Sequence, residues 1–477
     1  MAGNRWWTLA AVCIATFMLL LDITIVNVAL PEIRADLGAS FSDLQWVVDA
    51  YALGLAAFLL LTGSLADRIG RRRVFTAGLV LFVIASILCG LAGTPTVLNL
   101  SRALQGVGGA AMFATSLALI AQAFQGPDRA TAFGAWGATI GAAVAIGPLI
   151  GGICTEHLGW ESIFFLNIPI GVLGVFITQR FVAESKDPRV RRIDWLGAAL
   201  FSGGLFALVF GLVRGNAEGW TDPLIIGCLS EGVALLLAFV AVELRVRDPT
   251  FDLSLLRNRS FNGVSIAAFG LSAAMFSMFF YLTLYIQNQL DYSPLEAGLR
   301  FLPMTIVSFV AAPIAARLQE GRPSRWFFGT GLFLVGLGLL LMRDISPGGD
   351  WDALLPGLLV AGLGVGIVNP IIASVAVGVV EAREAGMASG INSTFRQVGI
   401  ATGIAALGAV FHARIESRTP GDTEGDALSS IPLSSLPPEI RDAAEAGFVG
   451  ALDDILLIAA IVAFVAAAGA AALVREG

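Results

Sequence analysis

Charge is what this sequence has least of. Only 14% of its 477 residues are Asp, Glu, Lys or Arg, against about 25% in an ordinary soluble domain, while 56% are apolar and the mean hydropathy is +0.81. A soluble globular protein is excluded. Cysteine and histidine are scarce too. Cys13, Cys89, Cys154 and Cys228 lie far apart in or beside apolar runs, where they act as small apolar side chains rather than a disulfide framework. With His157 and His412 near helix ends, they leave no paired metal ligands and no nucleophile–base grouping. No G-x-x-x-x-G-K-[ST] loop is present, which argues against transport driven by ATP in this chain, and most connections are too short for a soluble catalytic or nucleotide-binding domain. The expectation is a protein that is not an enzyme, has no cofactor and no metal, and binds no nucleic acid.

What the chain does have is long apolar runs. A bilayer-spanning helix needs about 20 predominantly apolar residues. Runs bounded by turn and charge signals fall near 7–30, 43–66, 74–93, 96–124, 130–153, 161–182, 194–214, 222–243, 260–287, 295–317, 326–342, 353–380, 384–412 and 448–474. The first is too long for a signal peptide and carries Asp22, so it reads as a retained helix. Fourteen crossings put both termini on one side. Connections and helix ends on that side hold 20 Lys+Arg and 12 Asp+Glu, and the other side holds 6 and 19. The bias, clearest at Arg68, Arg71–Arg73 and Arg189–Arg192, follows the positive-inside rule and makes both termini cytoplasmic. The single lysine, Lys186, among so many arginines, with abundant Ala and Gly, fits a bacterial source and its cytoplasmic membrane.

The end of the second run, GSLADRIGRRR (63–73), is echoed at the end of the tenth, AARLQEGRPSR (315–325). That spacing fits an all-α polytopic protein of two six-helix bundles, residues 1–185 and 259–477, with two additional helices inserted in 186–258. Chance repetition of Arg-Gly turns is the alternative. The long connection 413–447 lies outside; Pro437 and Pro438 before EIRDAAEAGF suggest a short helix across the outer face.

Ionisable groups inside a span cost about 2.5 kcal/mol or more each, so each needs a partner or a task. At 1.5 Å per residue, Asp22, Asp49 and Arg102 all fall about 10 Å below the outer boundary, where they can meet. A carboxylate in a dry cavity beside an arginine can switch proton occupancy when the cavity wets or the arginine moves; an ion pair that only fixes helix packing is the alternative. One arginine neutralises one acid, so Asp49 is also a candidate for attracting a cationic substrate. Asn27, Asn167, Asn392 and Gln397 are interhelical glue or ligands. Arg396, near the middle of the thirteenth run, faces a cavity or another helix's acid, and Glu231 faces a peripheral helix contact. Trp46, Phe113, Trp136, Tyr281, Tyr285 and Phe395 are aromatics on which a flat drug could stack, or ordinary packing residues.

Glycine adds two motifs. In GAWGATIGAAVAIGPLIGG (134–152), Gly137 and Gly141 form a small-x-x-x-small face, Pro148 removes a backbone donor, and with Gly147 and Gly151 they suggest a gating helix. In the 63–73 turn, Asp67 and Arg71 stand four apart beside Arg68, with Gly63 and Gly70 permitting close approach, as in a latch between conformational states; a topogenic arginine cluster is the alternative.

At these residues the chain resembles the major facilitator superfamily, specifically its fourteen-helix drug:proton antiporters of the multidrug and quaternary-ammonium exporter type. LDITIVNVALP (21–31), GSLADRIGRRR (63–73), LSRALQGVGGA (100–110), AIGPLIGG (145–152), WESIFFLNIPIG (160–171), YSPLEAGL (292–299) and GMASGINSTFRQVG (386–399) are similar to that family's motifs, in order along nearly the whole chain. The resemblance implies alternating access, with protons entering from outside driving amphiphilic, cationic drugs outward through a monomer. It implies a proton relay at Asp22 and Arg102, a latch at Asp67 and Arg71, and a hinge at Gly147 and Pro148. The acid at Asp49 is similar to that of organic-cation exporters. Two departures stand out: no acid lies between Met387 and Phe411, unlike some dication exporters, and the second-half turn lacks the Asp-Arg pair.

Overall fold

The computed structural model describes residues 5–124, 127–186, 194–246, 251, 253–319, 321–343, 345, 349–378, 385–418 and 438–474. Among these residues there is no β-strand. The helices are α1 (Arg5–Leu37), α2 (Phe41–Ile69), α3 (Arg71–Gly90), α4 (Pro95–Ala123), α5 (Pro127–Leu158) and α6 (Ser162–Phe181), then α7 (Trp195–Glu218) and α8 (Pro223–Glu243), then α9 (Arg259–Gln289), α10 (Pro294–Gln319), α11 (Ser324–Leu341), α12 (Leu355–Gly378), α13 (Ala385–Arg418) and α14 (Pro438–Leu473). Twelve of them are long and apolar enough to cross a membrane; α2 and α5, of 29 and 32 residues, run beside them. The chain is a multi-pass membrane protein.

Local chemistry sets the ends. Ser40 accepts from the Asp43 amide while the Asp43 carboxylate accepts from the Ser40 amide, a capping box that starts α2. Thr94 and Pro95 start α4, Asp222 and Pro223 start α8, and the Asn258 side chain caps α9. Gly70, at φ 126°, makes the tight turn from α2 to α3, a conformation that L side chains rarely adopt.

Helices α1–α6 pack as one bundle and α9–α14 as another; α7 lies against both α2 and α13, and α8 packs on α7. Glu231 is on the exposed face of α8. Two features depart from expectation. The short surface helix near 438–447 is continuous with the last span, because EIRDAAEAGF carries no helix breaker before the apolar run begins. Helix α9 widens into π-type turns at Ser272–Phe276 and Tyr285–Gln289, which the apolar pattern does not reveal.

Candidate functional site

The deepest polar cluster lies inside the first bundle. Arg102 of α4 is ion-paired through Nη1 with Oδ2 of Asp22 on α1, and donates from Nε to the Val47 carbonyl at 2.9 Å. Gln105 and Asn167 both donate to Asp22 Oδ1 at 2.9 Å, and both also reach Ser86 Oγ, at 3.1 and 2.9 Å. The Arg102 guanidinium lies 4.3 Å from the Tyr51 ring centroid. Both Asp22 oxygens are satisfied, both charges are about 1% exposed, and the network ties α1, α3, α4 and α6 together. Thus Asp22 and Arg102 meet as the helix registers predict, and Asn167 joins them.

Asp49 does not. It is fully buried on α2, and neither carboxylate oxygen has a hydrogen-bond partner among the described residues. Its surroundings belong to the seam between the bundles. One turn earlier, Gln45 donates to the Ile404 carbonyl of α13 at 3.3 Å; Tyr281 of α9 donates to the same carbonyl at 2.6 Å and is within electrostatic reach of Asp49. The expected three-way meeting fails because Asp49 projects toward α9 and α13, away from Arg102, a choice of helix face that depth alone cannot predict.

The seam is closed on the face that carries the arginine-poor turns. Phe41 of α2 packs on Phe280 and Phe411 at 5.7 and 6.2 Å between centroids. Gln287 donates to the Val28 carbonyl at 2.7 Å, and Glu156 at the end of α5 accepts from Ser293 Oγ at 2.7 Å and from the Leu295 amide at 3.2 Å, so that an acid of one bundle caps α10 of the other. Glycine brings the backbones together: a Cβ on Gly298 of α10 would overlap the Pro148 carbonyl, and one on Gly152 would overlap Leu295. Towards the opposite face, Ala373 of α12 packs against the first-bundle cluster that holds Phe113 and Trp136.

The expected small face of α5 is displaced. A Cβ on Gly137 would meet nothing within 4 Å, and Gly141 lies among residues whose side-chain surroundings are outside the described set. Close approach comes at Gly147, where a Cβ would overlap the Thr24 hydroxyl, and at Gly151, 3.0 Å from Ile25. The kink residue Pro148 therefore stands where α1, α5 and α10 converge.

Other candidates scatter. Asn27 donates to the Ile23 carbonyl on its own helix, at 3.3 Å, with its Oδ1 unpaired among the described residues. Asn392 donates to the Val264 carbonyl at 3.4 Å, and Arg396 to Asn369 Oδ1 at 2.8 Å. Trp136 donates to Thr16 at 2.9 Å and lies 6.1 Å from Phe113. Tyr285 stacks near Phe448 at 6.3 Å. Trp46 and Phe395 face the inserted pair instead of a cavity: Trp46 packs on Phe206 and Phe210 of α7, and Phe395 joins a cluster with Phe239 and Phe251.

In the latch turn, the Asp67 side chain lies outside the described residues. Arg68 is exposed, the Arg71 amide donates to the Ser185 carbonyl at 2.9 Å, and a Cβ on Gly63 would meet the Ala114 methyl at 3.8 Å, an ordinary contact. The residue missed by sequence reasoning is Glu184: it accepts from the Arg72 amide at 3.0 Å, faces Arg73 at 3.7 Å, and fills the space that a Cβ on Gly70 would need. An acid just ahead of the basic stretch Arg189–Arg192 was the available signal.

Residues 12–404 match the family described as the Major Facilitator Superfamily. The chain is 38% identical to the puromycin resistance protein pur8 of Streptomyces alboniger (85% of this chain, 82% of that one), and 36% identical to the multidrug resistance protein Stp of Mycobacterium tuberculosis (90% and 82%). It is 32% identical to the tetracenomycin C resistance and export protein of Streptomyces glaucescens (94% and 83%). In fold it is similar to the inward-facing, unoccupied structure of a bacterial homolog of the human lysosomal transporter Spinster, with TM-score 0.64 at 16% identity over 98% of this chain and 97% of that one. It is also similar to the human organic anion transporter MFSD10, with TM-score 0.61 at 16% identity over 96% and 99%.

Proposed function

Because this chain belongs to the Major Facilitator Superfamily, and so is a transporter and not an enzyme, we propose that it is a proton-coupled exporter of amphiphilic drugs, acting as a monomer in a bacterial cytoplasmic membrane. In this reading it crosses the bilayer fourteen times as two six-helix bundles and an inserted pair, with the arginine-rich face and both termini in the cytoplasm. The relatives named for puromycin, multidrug and tetracenomycin C resistance support export as the direction.

The observation that carries the reading is Asp49: a buried carboxyl group with no hydrogen-bond partner among the described residues, beneath a seam that in this reading is closed on the outer face. A charge there would be uncompensated, so the group holds its proton while sealed and releases it when opening to water on the cytoplasmic side solvates the carboxylate. Outward opening, which parts Phe41 from Phe280 and Glu156 from Ser293, exposes Asp49 to external protons; the deprotonated form in turn welcomes a cationic group of the substrate. Asp22, by contrast, serves as the fixed counter-charge of Arg102, and its network keeps the first bundle rigid as it rocks. Gly147, Pro148 and Gly151 supply the pivot against α1, and the Gly63–Arg73 turn with Glu184 supplies the cytoplasmic latch.

The test uses purified protein in proteoliposomes with an imposed pH gradient and a panel of fluorescent cations and neutral drugs. Gradient-driven dye movement that disappears in Asp49→Asn, with binding of the neutral drugs retained, supports the assignment; Asp49→Asn that still couples dye movement to the gradient removes Asp49 from it. A second reading, dedicated export of one endogenous antibiotic, is favoured by the relatives named for a single compound, including the probable actinorhodin transporter of Streptomyces coelicolor. A biosynthetic cluster beside the gene, with one dye class moved and the rest ignored, would support it.

A further inference from the structure

Arg102 has a carboxylate partner; among the described residues Arg396 has none. Arg396 stands about three turns into α13. Its one hydrogen bond among the described residues goes to the neutral amide oxygen of Asn369 on α12, at 2.8 Å, and no carboxylate of those residues comes within ion-pair distance. Its remaining donors are not packed away: the side chain is partly exposed, as is Asn369, and no guanidinium nitrogen is both buried and unpaired. Both residues stand on second-bundle helices, and α13 packs against α2 of the first bundle. Ala373, one turn beyond Asn369 on α12, packs against a buried first-bundle cluster whose members include Trp136, and Phe113 packs against the same cluster.

Asp49 does not supply the missing negative charge. Gln45 and Ile404 are level across the seam, and α2 runs antiparallel to α13. Counting from that pair, Asp49 lies about 6 Å and Arg396 about 12 Å toward the arginine-rich face. The two side chains are therefore offset along the seam by about one helical turn, with Asp49 sealed above and Arg396 partly exposed below.

A partly exposed guanidinium held by one neutral acceptor has donors of its planar fork left for a planar oxyanion. We infer that the substrates of this transporter include amphiphilic aromatic acids, whose carboxylate or phenolate seats on Arg396 with Asn369 as its orienting neighbour and whose rings lie toward Phe113 and Trp136. The inference rests on the export reading for its biological sense, but the charge preference it asserts is a property of binding alone.

The experiment measures binding to the full chain in lipid nanodiscs at pH 8, by tryptophan quenching, of a matched pair: 9,10-anthraquinone-2-carboxylic acid and its uncharged carboxamide. The parent protein should prefer the acid at least tenfold. Arg396→Gln should bring that preference within twofold, Arg396→Lys should retain part of it, and Asn369→Asp, which offers the guanidinium an internal carboxylate, should abolish it. If Arg396→Gln does not survive purification, Asn369→Asp decides. Equal binding of acid and amide by the parent, or a preference that survives both Arg396→Gln and Asn369→Asp, overturns the inference. The two readings separate in proteoliposomes. An Arg396-dependent acid preference with no gradient-driven flux sinks the export reading alone; gradient-driven flux of the amide with no acid preference sinks this inference alone.

Discussion

Asp22 and Asp49 are both closed off from solvent on helices of the same bundle, yet one has an arginine, a glutamine and an asparagine on its oxygens and the other has no hydrogen-bond partner among the described residues. Burial is common to both; the number of partners is what differs. A buried charge whose oxygens are saturated by groups of its own rigid bundle has little reason to change state when bundles move against each other. A carboxyl beneath a seam that must part changes its surroundings in every cycle. Depth in the membrane therefore marks a group as costly, and the element it faces decides whether the cost serves stability or coupling.

The largest expected effect breaks the first member of the pair. Asp22→Ala strands Arg102 in the bundle interior, a loss of about 3–5 kcal/mol, and should lower the detergent melting midpoint by about 3–5 °C. Asp49→Asn should melt within about 2 °C of the parent, since no hydrogen bond is lost. Equal destabilisation by the two substitutions would erase the contrast. Next in size, Gly298→Leu drives a side chain into the Pro148 carbonyl and should spring the seam. With the four native cysteines replaced, Asp49→Cys should react with a membrane-impermeant maleimide at least tenfold faster when Gly298→Leu is also present. Unchanged labelling would show that this contact does not guard Asp49.

Smaller effects come from groups in contact with water. Glu184→Ala removes the acceptor of the Arg72 amide and the counter-charge of Arg72 and Arg73; being partly solvated, it is worth about 1 kcal/mol, and transport turnover should fall a few-fold with little change in melting. Glu156→Gln keeps the shape of the outer cap on α10 and loses only its charge. It should speed labelling of Asp49→Cys by about two- to threefold, an effect below 1 kcal/mol, and leave substrate binding unchanged.

Much of this was legible before any coordinates. Twelve of the fourteen long helices follow from apolar length, and the Asp22–Arg102 pair follows because hydrocarbon makes an unpaired charge expensive and the two registers coincide. Asp49 showed the limit: register gives height along a helix, but its azimuth depends on which neighbours the whole bundle assembles around it. The same applies to Trp46 and Phe395, which turn toward the inserted pair. Gly137 was misjudged because a small-x-x-x-small repeat says that approach is possible, while the actual approach, at Gly147 and Gly151, is set by where α1 crosses. Glu156, Gln287 and Gln45 gave no signal, since a polar residue near a span's end is ordinary until a partner from a distant part of the chain meets it.

The inserted pair changes the neighbourhood of the transporter. Helix α7 touches α2 and α13 together and ties Ser202 to the Ala57 carbonyl at 2.9 Å, while the other flank of the seam is shut by glycine contacts between α5 and α10. A greasy molecule dissolved in the lipid and drifting sideways toward the α2–α13 cleft reaches the flank of α7 first, so that approach is screened from the surrounding annulus.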